Sequence, residues 1–348
     1  MADRLAGVRL APYTTLRMGG RARVFVEARS EGELVEIVAE ADRNGEPVLI
    51  LSGGSNLVIG DEGFDGLVVR VASTGVEIAG DGRVTVQAGE DWDALVSRCV
   101  NEGLAGVECL SGIPGLVGST PIQNVGAYGQ DVSQTVTGVR VYDRTAGEIR
   151  ELNADQCGFA YRHSVFKADT GRHVVLAVTY ALTSSDLSGP VAYKELAARL
   201  GVEIGERVPL AEAREAVLAL RRGKGMVLDP EDPDTRSAGS FFTNPVLDAA
   251  AAADLELRAP GFPRWGMPDG AVKVPAAWLI ENAGFPKGYE KGRVRISTKH
   301  TLALTNPTGE ASAAELLALA REVRDGVREK FSVTLVNEPV MVGVSLAD

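Results

Sequence analysis

The sequence contains two glycine-rich stretches whose main-chain amides could bind a phosphorylated ligand. The first, Leu51-Ser-Gly-Gly-Ser-Asn56, directly follows a short apolar run. A glycine-rich turn after a strand presents bare N–H groups that suit a pyrophosphate. No Gly-Lys-Ser/Thr follows it and the G-x-G-x-x-G spacing is absent, so neither a P-loop nor the common dinucleotide fingerprint is present. A tight structural turn is the alternative interpretation.

The second glycine-rich stretch lies within Cys109–Gln130, which carries no charged residue. It reads Ser111-Gly-Ile-Pro-Gly-Leu-Val-Gly-Ser119 and continues to Gly129. A solvated loop this long and apolar would be costly, whereas one lying against a flat apolar ligand would not. Two such loops fit a dinucleotide better than a single phosphate, and a buried structural loop is the alternative.

Three further segments carry reactive side chains. Tyr161-Arg-His-Ser-Val-Phe-Lys167 offers Arg162, whose planar fork grips carboxylate or phosphate, while His163 is better explained as a packed histidine. Ala238-Gly-Ser-Phe-Phe-Thr-Asn-Pro245 contains Ser240 without a G-x-S-x-G elbow, so a cap or turn role is favoured over a hydrolase nucleophile. Glu338 stands in an apolar run, where a paired structural carboxylate and a catalytic one are equally compatible with the pattern.

Composition limits the function classes. The chain has 348 residues and a net charge of −11, which predicts two or three domains and disfavours binding to nucleic acid or to an anionic membrane. Three separated cysteines and three histidines indicate neither a disulfide framework nor a zinc site, so no metal is predicted. No signal peptide or membrane helix is apparent. We therefore expect a reducing, cytoplasmic setting.

The elements that must position these residues follow from periodicity and caps. Ser30 with Glu33, and Ser312 with Glu315, form capping-box patterns. The pattern predicts helices at about 31–44, Asp91–Glu102, Tyr193–Leu200, Pro209–Arg222, Asp248–Leu257, Pro275–Ala283 and 313–331. It predicts strands at Arg23–Ala28, Pro47–Leu51, Leu67–Val71, Val76–Ala79, Val84–Ala88, Thr137–Tyr142, His173–Thr183 and Ser332–Val344, with a domain boundary near the loop Leu228–Arg236.

Taken in order, these segments and Thr14-Thr-Leu-Arg-Met-Gly-Gly20 resemble the UDP-N-acetylenolpyruvoylglucosamine reductases of bacterial cell-wall synthesis, over nearly the whole chain. The resemblance implies an α+β protein: a two-lobed FAD-binding fold of the vanillyl-alcohol-oxidase type followed by a smaller α+β substrate-binding domain. The implied boundaries are 1–72 for the first lobe with a returning C-terminal strand at 332–348, 73–225 for the second lobe with a mobile segment at 184–222, and 226–331 for the substrate domain.

The resemblance also implies the reaction. NADPH reduces FAD, which is expected to be non-covalent because no histidine lies near Gly53–Asn56. Flavin N5 then delivers hydride to the enolpyruvyl ether, and a proton completes UDP-N-acetylmuramate. In this scheme Ser240 matches the proton donor, and Arg162 with Glu338 matches the pair that holds and polarises the substrate carboxylate.

Further residues are carried over from the family pattern. One departure is Asn337-Glu338-Pro339, where many relatives read Pro-Glu-Val; Pro339 fixes the backbone after Glu338. The residues expected to bind the UDP-sugar are Tyr161, Tyr193, Lys224, Asn244 and Lys273. Those expected to bind FAD are Gly53, Gly54, Ser55, Asn56, Leu57, Ile113, Pro114, Gly118, Ser119, Gln123, Asn124, Gly126, Ala127 and Tyr128.

Two other functions are compatible with the same residues. One is a different FAD-dependent oxidoreductase of this fold that acts on a hydroxy acid or an alcohol. The other is a sugar-nucleotide-binding protein or transferase without redox chemistry, which would purify colourless. The acidic surface is compatible with a monomer.

Overall fold

The structure is a computed structural model that describes residues 3–267 and 270–347. The chain divides into two compact units, each assembled from separate parts of the sequence. The first unit comprises Met1–Val8, Ala22–Gly53 and Asp65–Gly223, and the second comprises Arg9–Arg21, Gly54–Phe64 and Lys224–Asp348. Among the described residues, no helix combines the length and apolar character needed to cross a bilayer.

The first sheet of the first unit packs against an amphipathic helix, Glu31–Arg43. Ser30 caps this helix as predicted, because its Oγ accepts a hydrogen bond from Glu33 N at 3.2 Å. The predicted apolar face is buried at Leu34, Ile37, Val38 and Ala41. The sheet has four strands in the order Leu5–Ala6, Ala22–Ala28, Phe64–Val71 and Val48–Leu51, the last two parallel.

A five-stranded antiparallel sheet forms the other half of the first unit. One of its strands, Glu148–Asn153, is absent from the sequence prediction. Its side chains are mostly exposed and it lies at the sheet edge, so charged residues cost little there and no apolar alternation marks it. The strand order is Glu148–Asn153, Val136–Asp143, His173–Ala181, Arg83–Gln87 and Val76–Ile78.

The remaining helices of the first unit surround this sheet and its loops. Asp91 caps Trp92–Asn101 through Ala94 N at 2.8 Å, as predicted. The other helices are Val165–Ala168, Lys194–Leu200 and Leu210–Gly223, with 3-10 turns at Glu108–Leu110, Val117–Ser119 and Val132–Gln134. Short strands are Leu104–Ala105, Gly126–Ala127, Gln130–Asp131 and Thr183–Ser184.

The second unit has its core around the helix Ala313–Phe331, which begins with the predicted capping box of Ser312 and Glu315. Two further helices, Ala249–Arg258 and Ala276–Asn282, confirm the predicted ones. 3-10 turns lie at Ala11–Tyr13 and Pro233–Thr235. Short strands are Leu57–Ile59, Val246–Leu247, Trp265–Gly266, Val272–Lys273, Glu290–Lys291, Val294–Ile296, Leu304–Thr305 and Val340–Val342.

The C-terminal strand is much shorter than predicted. The apolar pattern predicts Ser332–Val344, but the strand spans only Val340–Val342 and pairs in parallel with Leu57–Ile59. Pro339 has no N–H to donate to a ladder, so regular pairing begins only after it. Glu338 therefore lies just before the strand rather than inside it.

Candidate active site

The first glycine-rich turn follows the strand Val48–Leu51 and has no room for a side chain at either of its two glycines. A β-carbon on Gly53 would lie 2.7 Å from Gly115 Cα, so this turn touches the second glycine-rich stretch. Gly54 has φ +61°, and a β-carbon there would lie 2.0 Å from Tyr13 O. Glycine is required at both positions because main chain approaches main chain.

This turn also offers hydrogen-bond donors that the protein does not use. Within the described residues, the N–H groups of Gly53, Gly54 and Ser55 make no hydrogen bond. The Ser52 hydroxyl is buried and has no hydrogen-bond partner among the residues that the structure describes. Buried polar groups are nearly always satisfied, so the turn has the donors that a bound pyrophosphate needs.

The second glycine-rich stretch is held in shape by the surrounding sheet and helix. Gly118 N donates to Ala88 O at 2.9 Å, and a β-carbon on Gly118 would lie 2.5 Å from Ala88 Cβ. Ser119 N and Oγ both donate to Leu116 O. Thr120 Oγ1 lies 2.8 Å from the hydroxyl of buried Tyr180. The Gly118 N–H therefore ties the stretch to Ala88, after the strand Arg83–Gln87, whereas the Ser119 N–H is satisfied within the stretch itself.

Three of the predicted site residues have an unusual backbone. Asn124, Tyr128 and Arg162 have φ values of 47°, 50° and 53°, in the left-handed region that non-glycine residues seldom adopt. Each such residue costs on the order of 1–3 kcal/mol, and such residues concentrate at functional sites. Asn124 is stabilised there because its Oδ1 accepts from Ser133 N and its Nδ2 donates to Ala160 O. The strain points to these positions as functional.

The Arg162 guanidinium is bound to the second glycine-rich stretch. Its Nη2 donates to Gly126 O at 3.0 Å and its Nη1 to Asn124 O at 3.4 Å. Its central carbon lies 5.8 Å from the Tyr161 ring centroid, and Lys167 Nζ donates to Arg162 O. The structure thus brings the predicted carboxylate-binding arginine to the loop that the sequence assigned to the cofactor.

The second unit brings Ser240 and Glu338 close together through their backbones. Glu338 N donates to the carbonyl of Phe241, the residue after Ser240, at 2.8 Å. Gly239, with φ +72°, turns the chain just before Ser240. Phe241 and Phe242 are buried, with ring centroids 5.1 Å apart, and anchor the segment. A serine and a glutamate far apart in sequence are therefore neighbours in one unit.

Asn337 stabilises the turn at Glu338. Its Nδ2 donates to Pro339 O at 2.8 Å, and its backbone bridges to Phe242. These contacts hold the backbone on both sides of Glu338.

The predicted substrate residues have different surroundings. Asn244 Oδ1 accepts from Ala276 N at 2.9 Å and so caps the helix Ala276–Asn282. Lys273 Nζ lies 5.5 Å from the Trp265 ring centroid. Tyr193 precedes the helix Lys194–Leu200, is 48% exposed, and meets the Tyr128 ring edge-to-face at 5.7 Å.

The predicted residues divide between the two units. In the first unit lie Gly53, Ile113, Pro114, Gly118, Ser119, Gln123, Asn124, Gly126, Ala127, Tyr128, Tyr161, Arg162 and Tyr193. In the second lie Gly54, Ser55, Asn56, Leu57, Lys224, Ser240, Asn244, Lys273 and Glu338.

Known proteins resemble this chain over nearly its whole length. A family model described as an FAD binding domain matches residues 22–153, and the C-terminal domain model of UDP-N-acetylenolpyruvoylglucosamine reductase matches residues 230–342. The UDP-N-acetylenolpyruvoylglucosamine reductase of Thermobifida fusca is 58% identical, covering 97% of this chain and 98% of the relative. The chain belongs to the UDP-N-acetylenolpyruvoylglucosamine reductase family.

Two further members of the reductase family agree with this assignment. The Streptomyces avermitilis reductase is 56% identical, covering 97% of this chain and 94% of the relative. The crystal structure of the Thermus caldophilus reductase matches with a TM-score of 0.68 and 26% identity, covering 98% and 99% of the two chains. These matches confirm the predicted α+β fold, with an FAD-binding domain followed by a domain specific to the family. They also confirm that the protein is an FAD-dependent oxidoreductase.

FAD is also consistent with the chemistry of the turn in this family member. The FAD-binding match includes Gly53 and the second glycine-rich stretch. Unused amides and a buried, unsatisfied Ser52 hydroxyl are neutral donors suited to a phosphate oxygen.

One charged residue of the candidate site is absent from the sequence prediction. Arg221 Nη2 donates to Gly112 O at 3.3 Å, at the start of the second glycine-rich stretch. Burial lowers the pKa of Arg221 to about 10, with attraction from Tyr128 and Asp93 opposing and repulsion from Arg162 assisting. The second stretch is thus flanked by two guanidinium groups, Arg162 and Arg221.

A second arginine on the same helix holds that helix in place. Arg214 forms two hydrogen bonds to Asp93, at 2.7 and 2.9 Å. Burial acts to raise the pKa of Asp93, but the bonds from Arg214 and Gly112 N outweigh it, and the pKa lies below its usual value. Arg214 and Arg221 are seven residues apart on one helical face, a spacing that could have signalled a shared buried role.

Proposed function

We propose that this chain reduces the enolpyruvyl ether of UDP-N-acetylglucosamine to UDP-N-acetylmuramate for peptidoglycan synthesis, with NADPH as the reductant. The observation that carries this proposal is the 58% identity to a named reductase over 97% of the chain. The bare amides of the first glycine-rich turn and the strained, loop-bound Arg162 support it.

The predicted cofactor residues would hold FAD non-covalently. Bound FAD supplies the redox chemistry, accepting hydride from NADPH and returning it to the substrate. Gly53, Gly54 and Ser55 would donate their unused backbone N–H groups to its pyrophosphate. The second glycine-rich stretch, which carries no charged residue, would lie against the ring system of FAD.

Arg162 and Glu338 would act on the substrate carboxylate. Addition of hydride to the terminal carbon leaves negative charge on the neighbouring carbon, delocalised into the carboxylate. A planar guanidinium can grip both carboxylate oxygens, and fixed charges at a site where negative charge develops are a dominant catalytic factor. The bonds from Arg162 to Asn124 O and Gly126 O orient the fork before substrate binds.

Ser240 would donate the proton that completes the product. Its hydroxyl makes no hydrogen bond to another described residue, so it is available to a ligand. A hydroxyl is a weak acid, but the enolate is strongly basic, and this narrows the gap in pKa. We assign Lys224 as the cation that steadies the transient alkoxide.

The UDP-sugar would be bound by Tyr161, Tyr193, Lys224, Asn244 and Lys273. The helix cap at Ala276 occupies Asn244 Oδ1 and leaves Nδ2 to donate to a diphosphate oxygen. We assign residues 1–72 with 332–348, and 73–225, to two FAD-binding lobes, with 184–222 as a mobile segment, and 226–331 to the substrate domain.

An anaerobic flavin titration tests the function. The purified chain should take up FAD, lose flavin absorbance on addition of NADPH, and recover it on addition of the enolpyruvyl UDP-sugar. A chain that takes up no FAD would refute the proposal. Recovery with oxygen but not with the enolpyruvyl substrate would favour an oxidase acting on an alcohol or hydroxy acid.

A further inference from the structure

A buried carboxylate lies at the base of the segment that carries Tyr193. Glu108 is 0% exposed, and no salt bridge from it to another described residue is present. Three N–H groups satisfy it instead: Gly106 N at 2.6 Å on Oε2, and Gly189 N at 2.6 Å with Gln130 Nε2 at 2.9 Å on Oε1. Because a buried charge is costly unless fully hydrogen-bonded, these donors and the carboxylate constrain one another strongly.

The three donors belong to different chain segments. Gln130 lies two residues after Tyr128, and its Oε1 accepts from Cys109 N at 2.8 Å. Gly189 lies four residues before Tyr193. Glu108 therefore joins the end of the second glycine-rich stretch to the start of the Tyr193 segment.

The two joined segments touch where their tyrosines meet. A β-carbon on Gly129 would lie 2.8 Å from Ala192 Cβ. One residue away on either side, the Tyr128 and Tyr193 rings form their edge-to-face pair. The hydrogen bonds of Glu108 and the Tyr128–Tyr193 ring pair are thus successive contacts between the same two chain segments, 128–130 and 189–193.

The chain that carries Tyr193, residues 188–208, is closed on itself by backbone hydrogen bonds between its two ends. Ser188 N donates to Val208 O, and Val191 N donates to Glu206 O. The helix Lys194–Leu200 lies between these bonded positions in sequence, and its Leu196 and Ala197 share a buried apolar cluster with Cys109. A displacement at Gly189 would therefore move Tyr193 together with the helix.

We propose that Glu108 is a positioning residue that holds Tyr193 against Tyr128 and so prepares the site for the UDP-sugar. This inference rests on the proposed function, in which Tyr193 contacts that ligand. A glutamate suits the position because its oxygens only accept, and each donor facing them is an N–H. An amide would turn one NH₂ towards a donor and break at least one bond.

The test compares Glu108→Gln with Glu33→Gln in the full-length, FAD-loaded protein. Glu33 Oε2 likewise accepts a backbone N–H, from Arg29 at 2.8 Å, but this hydrogen bond is exposed, at the start of the helix Glu31–Arg43. In Glu108→Gln, trypsin cleavage at Lys194 and Arg199 should accelerate about tenfold, the loss expected for one charge-assisted hydrogen bond. The dissociation constant for the enolpyruvyl UDP-sugar should rise by about the same factor, and reduction by NADPH should stay within about twofold.

Two further variants distinguish the possible failures. Gln130→Leu removes one donor to Glu108 while keeping a similar volume, and should reproduce both effects if Glu108→Gln folds poorly. Tyr193→Phe alone should weaken substrate binding. Glu108→Gln should then weaken binding less when it is introduced into Tyr193→Phe than when it is introduced into the wild-type protein.

Unchanged cleavage and unchanged substrate affinity in both Glu108→Gln and Gln130→Leu would overturn the positioning role. Faster cleavage with full substrate affinity would also overturn it, because the segment would then move without consequence. If Tyr193→Phe binds substrate normally, the proposed contact of Tyr193 fails, whatever Glu108 does to the segment.

Discussion

Replacing Arg162 by lysine separates charge from geometry at the proposed carboxylate site. Both residues have unbranched side chains, so the cost of φ +53° is unchanged. Arginine donates to Gly126 O and Asn124 O at once, whereas an ammonium lacks the planar fork that could hold these bonds and still grip a carboxylate. Losing one aligned donor to developing negative charge costs about 3 kcal/mol, or a factor of about 10²–10³ in rate.

Stopped-flow measurement of the two half-reactions gives the direct assay. In Arg162→Lys, the loss of flavin absorbance with NADPH should be nearly unchanged, because that step does not involve the substrate carboxylate. Reoxidation by the enolpyruvyl UDP-sugar should slow by about 10²–10³.

A matched control is Arg144→Lys. Arg144 is also a guanidinium of the first unit that donates to a carbonyl, Gly171 O, but its other partner is Asp42. It should lose on the order of 1 kcal/mol of stability and keep both half-reactions. Near-normal reoxidation in Arg162→Lys, or equal slowing of both half-reactions, would refute the assigned role.

Three further substitutions follow from the geometry. Ser240→Ala should keep reduction by NADPH and slow reoxidation by orders of magnitude; equal slowing of both steps would make Ser240 structural. Gly54→Ala should abolish FAD uptake, measured as bound flavin per chain, because its β-carbon would meet Tyr13 O, while Gly147→Ala, with φ +71° and open space, should cost only about 1 kcal/mol. Asp143 has a pKa lowered to about 2, first by its hydrogen bond from Arg172. Because the folded pKa lies below the unfolded one, the stabilisation from Asp143 is present above about pH 4 and is lost as the pH falls towards about 2. Between about pH 4 and about pH 2, the melting temperature of Asp143→Asn should therefore fall less steeply than that of the wild type. The same pH dependence in both proteins would contradict the assignment.

Local signals in the sequence predict much of the fold. Ser30, Asp91 and Ser312 each cap the helix that the sequence predicts, because a cap and an apolar face involve only neighbouring residues. The edge strand Glu148–Asn153 has no such signal, since exposed side chains carry no apolar alternation. The apolar run 332–344 predicts too long a C-terminal strand, because Pro339 has no N–H and regular pairing begins only after it.

The candidate site was predictable only in part. The motif around Arg162 predicts an anion-binding guanidinium, whereas Ser240 is predicted only through the family resemblance. No periodicity predicts the hydrogen bond from Glu338 N to Phe241 O, which joins distant parts of the chain. The sequence prediction omits Arg221 because arginines on a helix usually face solvent, although its seven-residue spacing from Arg214 is compatible with a shared buried role.

Glu108 shows why such a residue is hard to find from sequence. Two of its three donors are backbone N–H groups, of Gly106 and Gly189, and nearly every residue has such a group. If Glu108 were held by a salt bridge, its partner would be a lysine or an arginine, and such residues are visible in the sequence. A carboxylate held by backbone leaves no matching residue, so its partners become known only once the tertiary structure brings Gly189 beside it. The residues that react can therefore be proposed from motifs, whereas those that hold them in place emerge from the backbone contacts around them.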